Sequence, residues 1–176
     1  MDSYFRKELK PLEDHLYALG ALAWAWSNAE LVIDLALVPY LGLNEPGAKR
    51  EAVLHNIPFR DKIAMLAALA FIHKPEDPSE YEGLKAFLDR LDNELRAERN
   101  RLMHDVWLND PGEIRRWARK TKSKRTQARQ MALVTSEKIP VTPEHIEGTA
   151  AEILGTAFMI AGITLGWDYP SKQPEE

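Results

Sequence analysis

An arginine and a histidine stand close together near the end of a predicted helix. Residues 99–104 read RNRLMH, which places four residues between Arg99 and His104. Histidine titrates near neutral pH and can pass a proton to or from a ribose 2′-hydroxyl or a leaving 5′-oxygen. Arginine presents a permanently charged fork to a phosphate whose oxygens gain charge in the transition state. These residue types suit cleavage of an RNA phosphodiester, with Asn100 positioning either group.

The helix that carries these residues sets the direction in which each of their side chains points. Leucines recur at helical spacing from Leu84 to Leu102, which predicts a helix over 79–104. Relative to that apolar row, Arg99 lies about 60° and His104 about 200° around the helix. Arg99 therefore skirts the buried face, and His104 points away from it. A second copy packed on that face would contribute the same pair, so that two histidines supply both acid and base.

The same residues also fit a purely structural role. Arg99 can pair with Glu30, and His104 can interact with the last carbonyls of its helix. Metal binding is not expected, because cysteine is absent and the other histidines lack the spacing of metal ligands (His15, His55, His73 and His145). No glycine-rich phosphate loop or nucleophile elbow occurs, and no cofactor is expected.

The charge is distributed unevenly along the chain. The net charge is −4, from 23 basic and 27 acidic residues, but no acidic residue occurs between Glu113 and Glu137. That gap holds eight of the basic residues: Arg115, Arg116, Arg119, Lys120, Lys122, Lys124, Arg125 and Arg129. A basic segment on an acidic body indicates a local contact with a polyanion, nucleic acid first. We expect RNA to contact Arg96, Arg115, Arg116 and Arg119; the alternative is a solvated hairpin that keeps the protein soluble.

The pattern of apolar residues predicts a helical bundle. With 176 residues, of which 45% are apolar, the chain fits one globular domain. A first helix over about 11–43 is apolar nearly all round, so it lies centrally in a bundle or at a subunit interface. Asn28, Glu30 and Asp34 at its centre argue against a membrane span. Further helices are expected over 48–55 and from Ile57 to about His73.

The helical periodicity is interrupted after His104. Strands are predicted over 106–108, 114–120 and 131–139, with a basic loop over 121–129 between the last two. The run Thr142-Pro143-Glu144 is typical of a helix start and predicts a last helix to about Gly166. The fold class predicted is therefore all-α, a single domain over 1–167 with a small β-hairpin insertion at about 106–140 before the last helix. Residues 168–176 are expected to form a flexible tail.

At residues 99–104 the sequence resembles the HEPN superfamily (higher eukaryotes and prokaryotes nucleotide-binding domain). The hallmark of that family is an arginine, usually followed by a small polar residue, with a histidine roughly four to six intervening residues later. The surroundings agree: WSNAEL at 26–31 on the long first helix, FRDKI at 59–63 opening a later one, and Leu95-Arg96 before the motif. The resemblance extends over roughly 12–165. One departure is Asp105, where relatives commonly have glycine after the histidine.

The resemblance implies an up-and-down helical bundle that forms a homodimer and joins two motifs at the interface. In active members this builds a metal-independent site that cleaves RNA, often within toxin–antitoxin or antiphage defence systems. By position, Arg99 would hold the scissile phosphate, His104 would transfer a proton and Asn100 would support both. A cognate antitoxin or defence-system protein would be a further partner.

We therefore expect a cytoplasmic HEPN-type endoribonuclease without membrane contact, since no leader-like stretch opens the sequence and cysteine is absent. The first alternative is a non-catalytic HEPN module that binds RNA, a nucleotide or a partner protein. The second is a dimeric scaffold in which the motif only pairs charges.

Overall fold

The chain is mainly helical, with one small antiparallel sheet before the last helix. The computed structural model describes residues 10–44, 47–73, 78–110, 113–126 and 129–166. The prediction of a helical chain with a β insertion in this place is confirmed, whereas its relation to the HEPN fold stays a prediction. The tail predicted over 168–176 lies outside the described residues.

The helices and strands have the following bounds. A 3₁₀ turn, Lys10–Leu12, leads into α1 (Glu13–Tyr40), which is followed by α2 (Ala48–His55) and α3 (Phe59–His73). Then α4 (Pro78–Asp89) continues through a π-helical segment (Arg90–Leu95) into α5 (Arg96–His104). The strands are β1 (Val106–Asp110), β2 (Glu113–Thr126) and β3 (Arg129–Pro140), and α6 is Pro143–Leu165. The π-helical segment divides the uniform helix that the leucine spacing predicts over 79–104.

The long first helix ends at Tyr40, one residue after Pro39. Gly42 has a φ of 64°, in the left-handed region that favours glycine. This conformation turns the chain so that the Leu43 N–H donates to the Val38 carbonyl at 3.0 Å. The bond satisfies one of the last free carbonyls of α1 and closes the helix.

The sheet extends further than the sequence predicts. Its strand order is β1-β2-β3, and β2 pairs with β3 from Arg115 opposite Pro140 to Thr126 opposite Arg129. The prediction of a basic loop over 121–129 is therefore wrong, because most of it belongs to the strands. The β-branched Val134 pairs with Thr121 across the ladder, and such residues favour extended backbone.

The chain divides into two compact units. The first combines the described residues of Met1–Leu22 and Glu98–Thr149, and the second combines those of Ala23–Ala97 and Ala150–Glu176. The largest fully buried side chains in the first unit are Leu22, Leu102 and Ile146. Those in the second are Ile33, Leu37, Leu66, Leu88, Leu91, Ile153 and Ile160. The single domain predicted over 1–167 stays a prediction.

Two helices, α1 and α6, are long and apolar enough to cross a membrane by length and composition. Charged residues of α1 nevertheless have protein partners within the second unit. Asp34 pairs with Lys62, which is buried, and Glu30 accepts a hydrogen bond from Trp26 Nε1 at 2.8 Å. Partnered charges of this kind favour a helix in a protein core over one in lipid. The absence of membrane contact stays a prediction.

Candidate functional site

The last two turns of α5 carry Arg99, Asn100 and His104. Arg99 Nη1 donates a hydrogen bond to Asn100 Oδ1 at 3.0 Å, and both residues are half-buried. Asn100 and His104 are four residues apart on one helix, so their side chains share a face. His104 is exposed, and its imidazole has no hydrogen bond or ion pair with any other residue that the structure describes. The helix therefore presents an anchored guanidinium and an accessible imidazole.

The end of α5 is held in place by Asp105, the residue that follows it, and by Trp107 of β1. The Asp105 N–H donates to the Arg101 carbonyl at 3.1 Å. Trp107 Nε1 donates to the Leu102 carbonyl at 3.0 Å, and Leu102 itself is fully buried. These contacts satisfy carbonyls that a helix terminus otherwise leaves without partners. His104 lies between Leu102 and Asp105 in the chain, and both of these residues form one of the bonds. The direction of the backbone at His104 is therefore fixed.

Asp105, the residue directly after His104, forms an ion pair. Arg116 Nη1 lies 3.5 Å from Asp105 Oδ2. Arg116 is only 5% exposed, although it belongs to the segment predicted to bind RNA. A buried guanidinium requires a counter-charge. The negative charge beside His104 is thus offset by a cation from β2.

The other predicted RNA-binding residues belong to both units. Arg115 lies half-buried on β2, and Arg119 pairs with Ser136 in the backbone register of β2 and β3. The side chain of Arg119 lies outside what the structure describes. Arg96, in the second unit, donates from Nε to Asp92 Oδ1 at 2.7 Å. Since Arg116 is buried and paired, we leave it out of the surface that we propose to contact RNA.

Two histidine contacts in the first unit were not found by sequence reasoning. His145 Nε2 lies 3.1 Å from Glu98 Oε1 and so joins the start of α6 to α5. His15 Nε2 lies 2.9 Å from the Val141 carbonyl, and its ring packs edge-on against Trp107 with centroids 6.0 Å apart. The partners are 47 and 126 residues apart in sequence, so no local spacing signals them.

The start of α6 follows the predicted capping pattern. The His145 N–H donates to Thr142 Oγ1 at 3.3 Å. The backbone N–H of Glu144 and the Thr142 hydroxyl donate to the Glu144 carboxylate, which lowers the pKa of that carboxyl. A lowered carboxyl pKa stabilises the fold above the pKa of the unfolded chain, and this contribution is lost as the pH falls through the folded value.

No group of three or more histidine, aspartate or glutamate side chains within the described ranges is placed to hold a metal ion. Comparison of the chain with models of protein families, with curated proteins and with solved structures finds no match.

The Trp107 indole gives a first testable prediction. Trp107→Phe keeps an aromatic side chain but removes the indole N–H that bonds the Leu102 carbonyl, so we expect a loss of about 1 kcal/mol in the free energy of unfolding. Chemical denaturation measures this difference. Trp24→Phe is the matched control, because Trp24 is exposed and should change stability little. Equal stability of the two variants would contradict the helix-end role of Trp107.

Proposed function

We propose that this chain is a HEPN-type, metal-independent endoribonuclease. The observation that supports it best is the arrangement at the end of α5, where Asn100 anchors the Arg99 guanidinium and His104 is exposed. Arg99 binds the scissile phosphate through charge-assisted hydrogen bonds. His104 transfers a proton, and Asn100 keeps the arginine in place.

The proposed reaction uses the ribose as its own nucleophile. A base removes the proton of the 2′-hydroxyl, whose oxygen attacks the phosphorus. The bond from phosphorus to the 5′-oxygen breaks, and an acid protonates that leaving oxygen. The products are a 2′,3′-cyclic phosphate and a 5′-hydroxyl. The Arg99 fork offsets the charge that gathers on the phosphate oxygens in the transition state.

Two proton-transfer groups are needed, and the motif of one chain supplies a single histidine. We propose that a homodimer brings two copies of His104 together, one acting as base and the other as acid. Within this proposal the enzyme is cytoplasmic, and a cognate antitoxin or another defence-system protein restrains it. Sedimentation of the purified protein measures the dimer independently of catalysis.

The test is RNA cleavage by the purified protein in EDTA, compared with the Arg99→Ala variant. We expect cleavage by the wild type and a loss of about 10²–10³-fold in rate for Arg99→Ala, because an electrostatic donor to the transition state is removed. Arg101→Ala is the matched control, since Arg101 is exposed and pairs with Glu98 at 3.3 Å. Equal rates for wild type and Arg99→Ala would count against the proposal.

The basic ribbon of β2 and β3 favours a second candidate, a HEPN module that binds RNA without cutting it. Its basic residues lie on paired strands in a stretch free of acidic residues. This candidate predicts salt-dependent RNA binding without cleavage products. Charge reversal at Arg115 and Arg119 would then weaken binding, while Arg99→Ala would leave it unchanged.

A further inference from the structure

A buried carboxylate in the π-helical segment holds two arginines. Asp92 is only 7% exposed. Arg96 Nε donates to Asp92 Oδ1 at 2.7 Å, and Arg60 Nε lies 3.6 Å from Asp92 Oδ2. The carboxylate therefore has one arginine at each oxygen. Two guanidinium cations against one carboxylate leave this cluster with a positive charge.

Both arginines use the inner nitrogen of the guanidinium for this contact. Arg96 Nε also donates to the Asp92 carbonyl at 3.0 Å. No residue in the described part of the chain bonds the Nη atoms of Arg60 or Arg96. Their side chains are 72% and 32% exposed. The outer edges of both forks are thus available to a ligand from solvent.

Local structure directs the two arginines. Arg60 lies in the first turn of α3, next to Phe59, whose ring packs on Trp26 with centroids 4.8 Å apart. Two positions further on, Lys62 is buried against Asp34, so this turn is anchored on its inner side. Arg96 is the first residue after the π-helical segment. Segments of this kind within α-helices are frequently found at functional sites.

We propose that Arg60 and Arg96 form a phosphate-binding subsite, with Asp92 as its anchor. A guanidinium whose Nε is held by a carboxylate keeps a pair of donors at a spacing that matches two phosphate oxygens. The positive charge of the cluster favours an anion over a neutral ligand. That the ligand is the backbone phosphate of an RNA strand rests on the proposed function. That the subsite recognises a phosphate group does not.

The experiment measures the affinity for a 2′-O-methyl RNA oligonucleotide, which lacks the 2′-hydroxyl and stays intact during the titration. We expect Arg60→Gln and Arg96→Gln each to weaken binding about tenfold. Each should also lower the slope of log affinity against log salt by about one. Arg60→Lys keeps the charge but not the fork, and it should weaken binding as well.

Arg90→Gln is the matched control for these variants. It removes the same charge from the same unit, but Arg90 Nη2 is already bonded to Glu152 Oε2 at 2.7 Å. We expect a change of about twofold or less. Equal losses in Arg60→Gln and Arg90→Gln would overturn the subsite, because binding would then follow net charge alone. Since Arg60 is largely exposed, its replacement keeps the fold and decides the result.

A mononucleotide tests the phosphate chemistry by itself. Titration with a 5′-mononucleotide should shift the Nε–Hε NMR signals of Arg60 and Arg96, and unshifted signals would reject the subsite. Weakened oligonucleotide binding by Arg60→Gln in a protein that cleaves no RNA would uphold the subsite and reject the nuclease. The opposite result is RNA cleavage by the wild type together with equally tight oligonucleotide binding by the wild type and Arg60→Gln. That result would uphold the nuclease and reject the subsite.

Discussion

We expect His104→Ala to slow the proposed RNA cleavage strongly and to leave the fold intact. The imidazole is exposed and has no hydrogen bond or ion pair with the described residues that its loss would break. The substitution removes the group that we propose as acid and base, so we expect the turnover rate kcat to fall by about 10²–10⁴-fold. The measurement is the initial rate of cleavage of a fluorescent RNA in EDTA, with thermal melting to verify the fold.

His55→Ala serves as the control for this prediction. His55 is exposed at the end of α2, away from the motif in sequence, and its replacement should change neither rate nor melting temperature. An unchanged rate in His104→Ala would show that another group transfers the proton. A rate loss accompanied by unfolding would assign His104 a structural role and contradict the catalytic one.

Asp105→Asn is expected to destabilise the protein by about 3 kcal/mol, because it leaves the buried Arg116 guanidinium without its counter-charge. The pair is separated by 3.5 Å, and the side chain of Arg116 is 6% exposed. Asp105→Gly, which removes the whole side chain, should destabilise for the same reason. The free energy of unfolding from urea titration measures both effects.

A double-mutant cycle isolates this ion pair. Arg116→Met combined with Asp105→Asn should cost less than the sum of the single changes, since no charge is then left unpaired. Asp89→Asn is the control, because Asp89 is exposed and has no described partner. If Asp105→Asn is as mild as Asp89→Asn, the pair does not hold the end of α5.

Local patterns predicted the helices and the strand-rich insertion well. Leucine spacing placed a helix that ends at His104, and the run from Thr142 placed the start of α6. The helical wheel also placed Arg99 beside the buried face, where the structure finds it half-buried. These predictions succeed because helix periodicity and capping depend on neighbours within about one turn.

Contacts between distant residues could not be predicted. Arg116 was expected at an RNA surface but is buried against Asp105, because charge composition does not reveal which basic residue faces the core. The prediction of a basic loop over 121–129 was wrong for a related reason. Pairing between β2 and β3 depends on the residues of both strands. The loop was predicted from the composition of one segment, which does not show whether another segment pairs with it.

The sequence by itself determined the helical class of this chain and the placing of Arg99, Asn100 and His104 on one helix, since both follow from local periodicity. Only the tertiary structure decided that Arg116 of β2 provides the counter-charge of Asp105. It also decided that Asp92 pairs with Arg60 and Arg96. The physical reason is that a buried charge takes whichever counter-charge the fold brings near it. The partner can lie anywhere along the chain.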